Sequence, residues 1–511
     1  MCSRASTGSA KAGGCAVRPG ARRGGDRAGL LRAQPAAAGD TASAGVGAGE
    51  RMKTRTGSAR PETGQARVGT RREVATAAVS PACHAASSIR PRTARSDWVL
   101  QTALLIVFFF TFTLQGCATQ STLARYIVNP GKNETPTLMM FKKLAQPFYS
   151  QVGEIRSDHD NAKVISYAVI EPRDYDFSIA FSRISDKYVI KLYLYIHDVK
   201  KLGLGIKSLE VAAAASNPSN YAARRLLPKW IAGLPSSKPI GTVIMFPGYG
   251  ESKYSLLPGA LLFSKMGWRV VLVDLRGQGS VSARYMTWGI RDREDIFRLQ
   301  DELDAQGLIK SPVVYMGVSY GAGIALMSAA GNSSVSGVIA VAPWESAETV
   351  IPRFACWAAH ANWLISQMIC HISPSKWEKA EQIAGNEAGV NLSLAKPLSY
   401  MPFIKSPVLL IGGNDDAVAT PSAIDHLARR SVNAQVVILP EMGHFAISSN
   451  IPALCPSITN WINLIAGINH ATSLCHNISV QHVKYKYNAR FVITIVQRRH
   501  ASVFDFLRMI F

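Results

Sequence analysis

Gly317-Val318-Ser319-Tyr320-Gly321 sets a serine between two glycines, directly after the apolar run Pro312 to Met316 and ahead of a helix-forming stretch, Gly321 to Ala330. A strand that turns this sharply into a helix needs glycine on both sides of the central residue, because larger side chains would collide across the turn. The turn would raise the Ser319 hydroxyl above the carboxyl edge of a sheet, at a helix N-terminus. The five-residue pattern is weak alone, so its weight rests on what surrounds it.

Outward from this turn, short apolar runs rich in β-branched residues recur at 241–246, 268–274, 312–317, 337–341, 407–411 and 434–439. Helical stretches are expected at 256–266, 293–305, 321–330, 422–430 and 451–466. Continuous apolar strands separated by helices predict a mostly parallel sheet covered on both faces. Upstream, 163–170, 177–184 and 188–196 alternate Val, Ile, Tyr and Phe with polar residues and predict antiparallel strands. Between the fourth and fifth runs, 344–400 is too long for a simple crossover and carries Phe354, Trp357, Trp363 and Trp377, which predicts an inserted helical cap. The expected organisation is a basic, unstructured leader at 1–97, an apolar segment at 98–116, a linker at 117–160, an α/β domain at 161–466 and a basic tail at 467–511.

A serine hydroxyl is a poor nucleophile and needs a base, which in turn needs a carboxylate to hold its tautomer. Both follow strands of the predicted sheet: Asn414-Asp415-Asp416 after 407–411, and Pro440-Glu441-Met442-Gly443-His444 after 434–439. Negative charge developing on a substrate oxygen needs donors, which backbone amides can supply. Tyr320, next to the serine, offers one, and Pro247-Gly248-Tyr249-Gly250-Glu251-Ser252 offers a second at Tyr249.

These features in this order resemble the α/β-hydrolases of the serine esterase, lipase and S33-like peptidase group, over about Gly241 to Ala466. The loop at 247–250 is similar to that group's His-Gly-x-Gly, with Pro247 in place of the His. Asp274-Leu275-Arg276-Gly277-Gln278-Gly279 is similar to its Asp-x-Arg-Gly-x-Gly turn. The resemblance implies an α/β-hydrolase fold with an inserted helical cap, and an acyl-enzyme mechanism with Ser319 as nucleophile and His444 as base. In that group the acid stands three residues before a Val, which selects Asp415 ahead of Val418 and leaves Asp416 a cap or turn role. It further implies oxyanion amides at Tyr249 and Tyr320, no metal or organic cofactor, and a small-molecule or lipid ester as substrate. A peptidase or acyltransferase would use the same residues, and a non-catalytic binding protein on the same fold is the contrasting class.

The formal charge of +22 suggests nucleic acid until it is divided along the chain. Residues 1–116 hold 17 Lys/Arg against 6 Asp/Glu, and 467–511 hold 6 against 1. The folded part is therefore close to balanced, and no aromatic-interleaved basic motif accompanies the ends, so nucleic-acid binding is not expected. Arg90, Arg92 and Arg95 precede the uncharged apolar run Trp98 to Thr113, which ends in Leu114-Gln115-Gly116-Cys117. This resembles the lipobox of bacterial lipoproteins and implies a lipid-bearing Cys117 at a processed N-terminus; an uncleaved single-span anchor or an organellar transit sequence are the alternatives. The first two place the domain outside the cytoplasm, and a start codon upstream of the real one would account for residues 1–90. In an oxidising compartment Cys356 and Cys370, both in the cap, could pair, or they could stay as buried thiols.

Overall fold

The computed structural model describes residues 116–131, 142–157, 161–173, 176–184, 187–196, 209–214, 236–360, 363–468 and 489–498. The expected leader 1–97 and the apolar run 98–113 lie outside the described residues. In chain order the helices and strands are α1 (Gly116–Val128), β1 (Gln151–Arg156), β2 (Lys163–Ile170), β3 (Asp176–Ile184), β4 (Lys187–Ile196), β5 (Leu209–Ala214), β6 (Gly241–Phe246), α2 (Leu257–Lys265), β7 (Trp268–Asp274), α3 (Asp292–Ala305), β8 (Val313–Val318), α4 (Tyr320–Ala329), β9 (Gly337–Val341), α5 (Ala347–Ala359), α6 (Trp363–Cys370), α7 (Pro374–Ala388), β10 (Val408–Gly413), α8 (Pro421–Arg429), β11 (Ala434–Leu439), α9 (His444–Ser449), α10 (Ile451–Ile465) and β12 (Ala489–Arg498).

Eight strands form the main sheet in the order β1-β2-β7-β6-β8-β9-β10-β11. Pairing is antiparallel from β1 through β2 to β7 and parallel from β7 to β11. Every residue of β6, β8 and β10 is buried, as expected of strands covered on both faces. One face packs Ile244, Tyr315, Ala340 and Leu410 beneath α3, α4 and the cap; the other packs Val243, Val314, Ile339 and Leu409 beneath α2 and α10. All six expected parallel strands are present, each within a residue or two of its expected limits. The expected cap is also helical, α5, α6 and α7 lying between β9 and β10.

Two expected boundaries are corrected. Residues 117–160, expected as a linker, include α1 and β1. Leu123, Ala124, Ile127 and Val128 of α1 are buried in the core, and β1 pairs with β2 as the sheet's edge. The tail from 467, expected to lie beyond the fold, contributes β12, which joins a second sheet of order β3-β4-β12-β5. There β12 runs antiparallel to β4 and parallel to β5. Phe177, Ile179 and Leu192 of that sheet enter the same core as α2 and α10. Ten consecutive pairs between 187–196 and 489–498 show why reading along the chain misses this strand, since its partner lies nearly three hundred residues away.

At the carboxyl edge of β7 the Asp274 turn is locked by a buried ion pair. The Asp274 carboxylate accepts from the Lys253 ammonium and from Lys253 N at 2.7 Å, Ser280 N at 3.0 Å and Ser280 Oγ at 2.9 Å. Gly279 has φ +51, and a Cβ there would overlap the same carboxylate. Burial pushes the Lys253 ammonium below its ordinary range, and Asp274 opposes that shift. Removing one partner leaves a buried charge uncompensated, so Asp274→Ala is expected to lower unfolding free energy by about 3–5 kcal/mol, readable by urea denaturation. A loss below about 1 kcal/mol would mean that water reaches Lys253 and replaces the pair.

Candidate active site

The turn between β8 and α4 has the geometry its glycines require. Ser319 sits at φ +52, ψ −113, outside the regions favoured by L-residues. A Cβ at Gly317 would overlap the Gly321 carbonyl, and one at Gly321 would overlap the Phe246 carbonyl. The strained residue is held by Ser319 N donating to Val341 O at 2.8 Å, and such strain is kept only where the surroundings over-determine it.

Ser319 Oγ lies 2.8 Å from His444 Nε2. His444 opens α9, is 6% exposed, and approaches a carboxylate with Nδ1 at 2.8 and 3.1 Å. That carboxylate belongs to Asp416 and not to the expected Asp415. Asp416 is 2% exposed, and its Oδ1 also accepts from Val418 N at 2.8 Å and Ala419 N at 2.9 Å. Asp415 is exposed; its amide bonds Met442 O at 3.1 Å, and its side chain accepts from Asn414 Nδ2 at 3.4 Å. Both residues lie in the turn after β10, and only Asp416 turns its side chain inward to the histidine. The turn role assigned to Asp416 is also present, because the same carboxylate does both. A legible clue was the Asp-x-Val-Ala spacing, which suits a carboxylate receiving the amides two and three residues on.

Of the expected donor residues, Tyr320 directly follows the serine, and the Tyr249 ring stands 6.3 Å from the Tyr320 ring. Tyr320 is the first residue of α4, where helical amides have no partner within the helix. The loop bearing Tyr249 is clamped beside it: Gly248 N donates to Glu251 Oε2 at 3.3 Å, and Gly248 O accepts from Gln278 Nε2 at 2.7 Å. Burial raises the Glu251 carboxyl above its usual range, against the opposing effects of Ser255, the Gly248 amide and His444. Burial likewise keeps the Tyr249 and Tyr320 phenols protonated far above their ordinary range.

The cap supplies the apolar wall. Trp357 and Phe354 of α5 meet the His444 ring edge to face at 5.6 and 6.4 Å between centroids. Phe354 continues to Tyr249 at 5.2 Å and to Tyr126 of α1 at 6.5 Å. Tyr126 was missed in the sequence, although Leu123, Ala124, Ile127 and Val128 recur at helical spacing and would have marked its helix. A disulfide joins Cys356 of α5 to Cys370 of α6, resolving the alternatives left open by the sequence. Cys356, His360 and Cys370 place possible ligand atoms within 4.8 Å of one another, but the two sulfurs are committed to that bond and so offer no thiolate to a metal. Among the described residues no helix is long and apolar enough to cross a membrane. Cys117 stands in the first turn of α1.

Residues 243–451, about two-fifths of the chain, match the model of the alpha/beta hydrolase family. No curated protein sequence matches the chain. Similar solved structures include an esterase from Pyrococcus furiosus at 16% identity and TM-score 0.41, covering 66% of this chain and 96% of that one. Another is a 2,6-dihydroxy-pseudo-oxynicotine hydrolase at 15% identity and TM-score 0.39, covering 65% and 74%. An esterase from Exiguobacterium antarcticum has 16% identity and TM-score 0.34, covering 44% and 93%. The parallel sheet, the strained serine turn at its centre and the match to the alpha/beta hydrolase family model over 243–451 together give this domain the α/β-hydrolase fold.

Proposed function

We propose that this chain is a serine hydrolase that cleaves carboxylic esters with an apolar acyl or alcohol portion, through Ser319, His444 and Asp416. The observation that carries the reading is the unbroken contact from Ser319 Oγ through the His444 ring to the buried Asp416 carboxylate. An ionised carboxylate can only accept, so His444 Nδ1 keeps its proton and Nε2 presents a lone pair to the serine hydroxyl. His444 takes the Ser319 proton as Oγ attacks the ester carbonyl, and the Tyr249 and Tyr320 amides receive the oxyanion. The protonated imidazole then gives its proton to the departing alcohol. Water, deprotonated by the same nitrogen, releases the acid and restores the serine. Phe354 and Trp357 supply the apolar surface beside His444, where the leaving group must stand to receive that proton.

The same proposal includes a membrane tether, at a lipid-bearing Cys117 or through the apolar run at 98–113, with the domain outside the cytoplasm. The Cys356–Cys370 disulfide supports such a compartment, since cytosolic thiols are kept reduced.

The test is active-site labelling of the full chain with a fluorescent fluorophosphonate, followed by a panel of acetate esters of alcohols of increasing chain length. Covalent labelling, with kcat/KM rising along the panel, is the expected result. A folded protein that takes no label overturns the reading. Faster turnover of a peptide anilide, or transfer to an added alcohol outrunning hydrolysis, would replace the esterase assignment with a peptidase or an acyltransferase.

A further inference from the structure

Helix α1 ends against the residues that flank the serine. The last carbonyls of a helix have no partner within it, and here three in succession are taken by the α/β-hydrolase domain. The Tyr249 phenol donates to Tyr126 O, the Trp288 indole donates to Ile127 O at 2.9 Å, and Met286 N donates to Val128 O at 2.7 Å. Trp288 in turn donates its own amide to the Tyr320 phenol oxygen at 3.2 Å. The rings follow the same path, Tyr126 to Tyr249 at 5.5 Å, Tyr249 to Trp288 at 6.0 Å and Trp288 to Tyr320 at 5.3 Å. Both tyrosines assigned the oxyanion amides are thus held by their side chains to the carbonyl end of α1, Tyr249 directly and Tyr320 through Trp288. Trp288 is itself at φ +51, a backbone geometry kept only under such constraint.

The helix cannot shift without disturbing this contact set. Leu123, Ala124, Ile127 and Val128 are buried in the core, and α1 lies along the cap helix α7. It also stands outside the 243–451 segment that matches the hydrolase family model.

We propose that α1 is a positioning element for the oxyanion site, its carbonyl end fixing the Tyr249 and Tyr320 side chains and through them the two amides that receive the oxyanion. This rests on the hydrolase reading above. Tyr249 and Trp288 act by their side chains as positioning residues, and the chemistry falls to the main chain. An oxyanion forms only after the substrate has bound, so the helix contributes to kcat and leaves KM nearly unchanged.

The experiment compares the full chain with Tyr249→Phe and Trp288→Phe, each of which removes one donor and keeps a ring in place. Three readings are taken: fluorophosphonate titration of competent serines, kcat and KM per titrated serine on a short p-nitrophenyl ester, and amide hydrogen exchange over 116–128 and 247–252. Expected are a fall in kcat of about tenfold or more in Tyr249→Phe, KM within about twofold, and faster exchange in both segments. Rates per titrated serine exclude a loss due only to unfolded protein. Unchanged kcat in both variants, or faster exchange confined to 116–128, overturns the proposal. A wild type that shows the exchange coupling but titrates no serine instead refutes the hydrolase reading, and with it any catalytic role for α1.

Discussion

Asp416→Asn is expected to lower kcat/KM by about 10⁴-fold while Asp415→Asn stays near wild type. The asparagine keeps an oxygen that can accept from Val418 N and Ala419 N, so the turn after β10 survives and Tm moves little. What changes is the histidine. The amide nitrogen can face His444 Nδ1 only if that nitrogen gives up its proton, which moves the proton to Nε2 and removes the lone pair that Ser319 needs. A carboxylate also stabilises the imidazolium formed as the serine loses its proton, and an amide does not. Asp415 lies exposed and, among the described residues, its side chain accepts a hydrogen bond from Asn414 rather than from His444, so losing its charge changes little at the imidazole. Steady-state kinetics on one ester decide between the two. A large loss in Asp415→Asn with little in Asp416→Asn would mean that the loop rearranges when substrate binds and that the buried contact is only structural.

Ser319→Ala is expected to abolish fluorophosphonate labelling and to lower ester turnover by about 10⁶-fold, and His444→Ala to cost about as much. The double variant should be no slower than either single one, because residues that act as one unit cannot be lost twice. Alanine retains the Cβ and leaves the backbone at φ +52 as strained as before, so the folded state should persist, with a thermal midpoint close to wild type. Losses that multiply in the double variant would show that Ser319 and His444 serve separate steps, and the proposed proton transfer between them would then fail. Residual hydrolysis above that of water in the double variant would be the work of the amides and the pocket.

Much of this site was legible in the residues themselves. A glycine on each side of Ser319, a histidine loop after β11 and an acidic pair after β10 appear in an order that few other arrangements use. The sheet was legible for a related reason: strands buried on both faces are near-continuously apolar, and 241–246, 313–318 and 408–413 are so, Thr242 excepted. β1 and β12 were not. β1 has an alternating, half-exposed pattern, and β12 finds its partners only in space. The cap aromatics were visible as a cluster in the sequence, but their position against His444 depends on how α5 lies across the sheet edge.

The sequence by itself determined the covalent logic: which serine can stand on a strained turn, which histidine follows a strand end, and which segments must be buried, since each depends on steric limits or hydrophobic burial acting within a few residues. Only the tertiary structure decided which of two neighbouring aspartates turns inward, that Cys356 meets Cys370, and that α1 ends on Tyr249 and Trp288. Those outcomes depend on the direction in which a side chain leaves the backbone and on contacts between residues 14 to 161 positions apart, and no local pattern encodes either.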